Sequence, residues 1–131
     1  MINIFAIIVS IVVYWILGAI WFSAKIFGKP WTKALGRNIE DLGPDIKQVL
    51  GSFLANFVVV VLFAIILELI GSYDLVTALL IALLIGVGFI IPTDLYDVIF
   101  EDKNITAFLI DIGYHILGII IVGLILGLWK I

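Results

Sequence analysis

The stretch ITAFLIDIGYHILGIIIVGLILGLW (Ile105–Trp129) decides the fold. From Ile112 to Trp129 it carries no charged residue and is almost wholly aliphatic or aromatic. At 1.5 Å per residue such a run spans the roughly 30 Å hydrocarbon core of a bilayer. Three more charge-free apolar runs precede it: Met1–Ala24, Gln48–Leu67 and Leu75–Thr93. All four are apolar on every face, where a helix in a soluble bundle shows one apolar stripe.

Composition points the same way. Hydrophobic residues make up 65% of the 131 and charged residues 13%, about half the share in a soluble domain. Mean hydropathy is +1.37. The expectation is one all-α membrane domain over residues 1–131, with spans near 2–24, 48–70, 75–96 and 105–129. The first run lacks a basic leader and a small-residue cleavage site, so it reads as a retained helix rather than a signal peptide. Cysteine is absent, which removes disulfides, thiolate metal sites and a cysteine nucleophile together.

The basic residues orient the chain. Lys25, Lys29, Lys33, Arg37 and Lys47 fall between the first two runs, Lys103 between the last two, and Lys130 after the fourth. Four spans put the first and third connections on one side, and the positive-inside rule makes that side cytoplasmic, with both termini outside a multi-pass cell-membrane protein. In the first connection, Pro30 suits a helix start and Gly36 a helix end. Asn38 suits the cap of a second short turn that Gly43-Pro44 closes. The expectation is a short interfacial helix with Phe27 and Trp31 at headgroup level. Lys25, Lys29, Lys33 and Arg37 then face anionic lipid headgroups; no feature suggests nucleic acid. The short second connection, Gly71–Asp74, makes the middle two spans antiparallel neighbours.

Small residues recur at fourfold spacing: Ala78, Ala82 and Gly86; Gly123 and Gly127; Gly51 and Ala55. Such spacing lets backbones approach in lipid, within one bundle or between copies. A chain this small buries few side chains among four helices, so a homo-oligomer is expected for any task that binds or passes a ligand.

Ionisable groups inside a span are costly and serve as functional candidates. Asp111 and His115 lie four apart on the fourth helix, at roughly 9 and 15 Å of depth if it starts at Ile105. A carboxylate beside an imidazole can share a proton, or form a structural pair that holds the helix in place. Asp94 and Asp97 abut the third run, where Gly86, Gly88 and Pro92 make a kink or hinge plausible. Lys25 or Lys29 is positioned to fold back onto Asp111. Asn56 is deep enough to bond across helices, with Ser10 and Tyr14 as partners for it or for His115; Glu68 lies near the outer end of its span. There is no phosphate loop, nucleophile turn or HExxH helix. Neither catalysis nor a cofactor or metal is expected.

Several motifs together resemble a known family: Trp21-Phe22-Ser23, Ile26-Phe27-Gly28-Lys29-x-Trp31, Gly88-Phe89-x-x-Pro92, Phe100-Glu101 and Asp111-x-Gly113-x-His115. They resemble the markers of domain of unknown function 1761, a family of small prokaryotic four-helix integral membrane proteins. The resemblance spans nearly the whole chain and implies that Asp111 and His115 belong to the family pattern. Where the family usually has Trp-Tyr-Ser, this chain has phenylalanine at Phe22. No activity comes with the family name. Two functions stay open: an oligomeric transporter or channel for protons, an ion or a small solute working through the Asp111/His115 pair, and a non-transporting scaffold or regulatory module whose polar network is structural.

Overall fold

Four helices long and apolar enough to cross a membrane make up the body of the molecule: Ile4–Trp21, Ile46–Ile70, Leu75–Phe100 and Ile105–Leu128. A computed structural model describes residues 1–43 and 45–130; Pro44, expected to help close the first connection, lies outside them. The fold is all-α and of membrane type. Large apolar side chains such as Leu54, Leu80, Phe89 and Leu109 are exposed around its circumference, the arrangement lipid stabilises and water does not.

Each long helix starts on an Asn or Asp that accepts a backbone N–H of the first turn. Asn3 caps α1 (Ile4–Trp21), Asp45 caps α3 (Ile46–Ile70), Asp74 caps α4 (Leu75–Ile85) and Asn104 caps α6 (Ile105–Leu128). These side chains meet donors that have no partner within the helix. Between them, α2 (Gly28–Ala34) is the short helix of the first connection, and α5 (Ile91–Phe100) is the second half of the third span.

α1 stops at Trp21, short of Ala24, because the chain turns sharply back. Phe27 N–H bonds the Trp21 carbonyl and Gly28 N–H the Ser23 carbonyl at 2.8 Å. A Cβ on Gly28 would strike the Phe22 and Ser23 carbonyls, so the reversal requires glycine. Gly36 follows α2 with φ +69, a left-handed conformation that glycine adopts without strain. Asn38 stands at the cap position of the 3-10 turn Ile39–Asp41 but makes no side-chain capping bond.

α6 is the centre of the bundle, packed chiefly on α4 and α1, while α3 packs on α1. The middle spans are therefore not the close neighbours their short connection suggested. The small residues explain the choice of partner. Gly123 sits 3.2 Å from the Ala78 carbonyl and from the Ala82 Cβ, and Gly127 sits 3.1 Å from the Ala78 Cβ, each measured from the position a side chain would take. The α4 and α6 stripes are thus used against each other inside the chain. Gly118 accepts the Tyr14 ring edge-on, in a space that a Cβ would fill. Gly51, by contrast, has nothing within 4 Å, and Ala55 is exposed.

The third span runs on past Pro92 without breaking. A π-helical turn, Gly86–Ile90, immediately precedes the proline and absorbs its missing N–H. Thr93 Oγ1 donates to the Phe89 carbonyl at 2.6 Å. No residue of α5 is buried.

Candidate functional site

The ionisable residues of α5 and α6 gather at the end of the bundle that carries the first and third connections. α6 presents Asp111 and His115 there, one turn apart, yet among the described residues no hydrogen bond joins them. Each has its own partners.

Asp111 Oδ1 accepts Trp31 Nε1–H at 2.8 Å, and Asp111 Oδ2 meets Lys103 Nζ at 2.5 Å. The two side chains of the ion pair keep only 14% and 18% of their exposure. Lys103 also approaches Asp97 at 3.8 Å. The neutralising cation is therefore Lys103, from the third connection, and not Lys25 or Lys29, which are exposed. It reaches back because Asp102 takes a left-handed φ of +54 and lets the Lys103 N–H bond the Asp97 carbonyl, wrapping the end of α5.

Burial alone would lower the Lys103 ammonium. Asp111, with Asp94 and Asp97 adding their charge, outweighs this and holds it above the ordinary lysine value. A raised pKa stabilises the fold below the unfolded-chain value of about 10.4 and stops doing so as pH rises through the folded value. Thermal stability in detergent is therefore expected to fall above roughly pH 10.5, and to fall less in Lys103→Met. Equal alkaline loss in both proteins would remove this contribution.

His115 Nδ1 pairs with the Tyr14 hydroxyl at 2.8 Å. Beside it, Asn56 Nδ2 donates to the Tyr114 hydroxyl at 3.2 Å, and that hydroxyl donates to the Tyr14 carbonyl at 3.1 Å. One tyrosine thus ties α3, α6 and α1 together. Ser10 is fully buried, and its Oγ has no partner among the described residues. Ser10→Ala removes that unmet group, so stability in detergent is expected to be unchanged or higher by up to about 1 kcal/mol. A lower melting temperature would show that the hydroxyl is bonded.

Trp31 is turned inward rather than lying at the surface. Its ring centroid is 4.7 Å from that of Phe22, while Phe27 packs against Trp21 in a tilted pair at 4.5 Å. Trp21 Nε1–H reaches the Ile110 carbonyl at 3.0 Å, and its ring lies over Gly113. The motif residues Trp21, Gly28, Trp31, Asp111, Gly113 and His115 therefore meet in one region.

Behind Trp31 opens a cavity of about 440 Å³. α1 contributes Trp15, Gly18 and Ala19 to its walls, and Phe22 adds its ring just past the helix end. Gln48, Val49, Ser52 and Asn56 come from α3, and Tyr114 of α6 completes the floor. Arg37, Leu42 and Asp45 line it from the first connection. Asn56 is ten residues into α3, so the floor lies about 15 Å below the helix start, near the depth of a bilayer midplane.

Of the sequence candidates, Asn56, Trp31 and Arg37 line this cavity. Asp111 holds the Trp31 indole N–H and pairs with Lys103, both outside the cavity lining, and Asp94 and Asp97 lie on the half-buried side of α5. Lys29, Lys33 and Arg37 border a second, shallow hollow on the outer side of α2. Glu68 is at the opposite end of the bundle, 3.8 Å from the amine of Met1 and exposed. Sequence reasoning missed Lys103, Tyr114 and the aromatic wall. Lys103 had a signal, being the lone cation of the third connection, directly after Glu101 and Asp102. Tyr114 had none beyond its place between Gly113 and His115.

The family model described as Protein of unknown function (DUF1761) matches residues 5–127, and the chain belongs to that family. Nothing matches among the curated proteins, and nothing among the solved structures.

Proposed function

We propose that this protein moves a small solute across the cell membrane, with the cavity between α1 and α3 as its binding site. The observation that carries this reading is the cavity itself: it runs from the first connection to Asn56 and Tyr114, and its floor is polar where a packed bundle needs no polar groups. Trp31 roofs it and is held by Asp111, so the Asp111–Lys103 pair acts as the latch of a gate rather than as an open ion site. The π-helical turn before Pro92 and the unburied α5 supply an element that can swing and carry Asp97 away from Lys103.

On this reading the first and third connections are cytoplasmic, with Lys25, Lys29 and Lys33 on anionic headgroups and both termini outside. Gly51 and Ala55, left open on α3, are the seam of a homo-oligomer. The protein is assigned no catalytic step.

The test is solute entry into proteoliposomes followed by light scattering, using acetamide, glycerol, glycine and propionate, with proton flux under a pH gradient alongside. Entry of at least one solute above protein-free vesicles, lost in Asn56→Leu, is expected. Rates equal to protein-free vesicles for every solute and for protons would overturn transport. A second reading, a non-transporting scaffold, would then take its place. It draws support from both Asp111 oxygens being engaged within the chain.

A further inference from the structure

The chemistry of the cavity floor specifies a ligand. Tyr114 has one hydroxyl proton, and it goes to the Tyr14 carbonyl. The Asn56 atom bonded to Tyr114 must therefore be the donor nitrogen, which leaves Asn56 Oδ1 facing away from that bond. Among the described residues Oδ1 has no hydrogen-bond partner, and neither has the second N–H of the amide. Asn56 is only 6% exposed, and the side on which it is open is the cavity. The acceptor and the second donor are thus reached from the cavity rather than sealed in the bundle, and a polar group that enters it can bond both.

Charge narrows the choice. Among the described residues no ionisable carboxylate, ammonium or guanidinium lines the floor; the charged side chains of the cavity, Arg37 and Asp45, belong to the first connection and are exposed at its mouth. An ion seated on Asn56 would lose its hydration with no counter-charge in return. A neutral carboxamide or hydroxyl would meet both the acceptor and the donor and lose little. Above the floor, the rings of Trp15, Phe22 and Trp31 offer apolar surface. Trp15 Nε1–H is already taken by Ser52 Oγ at 3.1 Å, and Trp31 Nε1–H by Asp111. Neither indole is left to bond a ligand, so these three rings offer apolar contact alone, while Gln48 and Ser52 of α3 add polar groups nearer the mouth.

We propose that the cavity takes an uncharged amphiphile whose carboxamide or hydroxyl head pairs with the free amide edge of Asn56, while its apolar body lies along Trp15, Phe22 and Trp31. This deepens the reading of the cavity as the solute site, but it does not require that the bound molecule be transported.

The probes are octanamide, octanoate and octylammonium, which share a chain and differ in head. They are titrated into the protein in nanodiscs at mildly alkaline pH, where the latter two are charged, and followed by tryptophan emission. Octanamide is expected to saturate, with both ions at least about tenfold weaker. Asn56→Leu should remove the preference for octanamide. Ala19→Phe, at an exposed wall position that leaves the polar network alone, should weaken all three probes. Tighter binding of either ion, or octanamide titrations that are identical in wild type, Asn56→Leu and Ala19→Phe, would overturn the proposal. The two readings separate cleanly. Selective octanamide binding without solute entry into vesicles sinks transport and keeps the ligand class. Solute entry without octanamide selectivity does the reverse.

Discussion

Asp111→Ala is expected to cost about 3 kcal/mol of unfolding free energy in detergent, at the lower end for breaking a buried ion pair because both partners keep slight exposure. Two losses combine. Lys103 is left as a mostly buried ammonium whose nearest remaining carboxylate is Asp97 at 3.8 Å, and the Trp31 indole N–H loses its acceptor. Asp111→Asn keeps an acceptor for Trp31 and should lose less, about 2 kcal/mol. Joining Asp111→Asn to Lys103→Met removes both charges, and much of the stability is expected to return. The measurement is a melting series over the wild type, the three single variants and the double variant. Asp111→Ala melting with the wild type would mean that the pair is solvated and holds nothing together.

Gly118→Leu is the second large effect. A Cβ at this position already enters the space of the Tyr14 ring, and a leucine cannot be accommodated without parting α1 from α6. Overpacking of a well-filled site costs about 1–3 kcal/mol, and more where the obstacle is a held ring. Tyr14 is such a ring: its hydroxyl is bonded to His115 and its carbonyl to Tyr114. The expected loss is about 3 kcal/mol, accompanied by loss of the Tyr14–His115 bond. Val76→Leu, at an exposed position on α4, serves as the control and should melt like the wild type in detergent. Equal melting of the two leucine variants would show that α1 and α6 do not approach at Gly118.

Hydropathy alone made the four long helices legible, because a bilayer demands long uninterrupted apolar runs and little else does. The short helix was legible from Pro30 and Gly36, although it begins at Gly28, two residues before the proline. Which helices pack was not, since apolar faces look alike in lipid. The small-residue stripes of α4 and α6 held that information, but their spacing fits a partner in the same chain or in another equally well. At the site, Asp111, His115 and Asn56 stood out as polar residues at depth. Their partners did not, because whether Asp111 meets His115, Lys29 or Lys103 depends on one left-handed residue, Asp102, in the third connection. The cavity left no mark in the sequence: it is the space between α1 and α3 under a folded-back loop, and its walls come from residues scattered between Trp15 and Tyr114.

The absence of cysteine offers the most direct test of that cavity. Single cysteines at Ser52, Asn56 and Phe57 are to be exposed, in sealed vesicles, to a membrane-impermeant thiol reagent from each side in turn. Ser52→Cys and Asn56→Cys are expected to react from the side of the first connection alone, and Phe57→Cys, on the lipid-facing surface, from neither. An Asn56→Cys thiol that stays unmodified from both sides, in a protein that is folded, would contradict a cavity open to mid-depth.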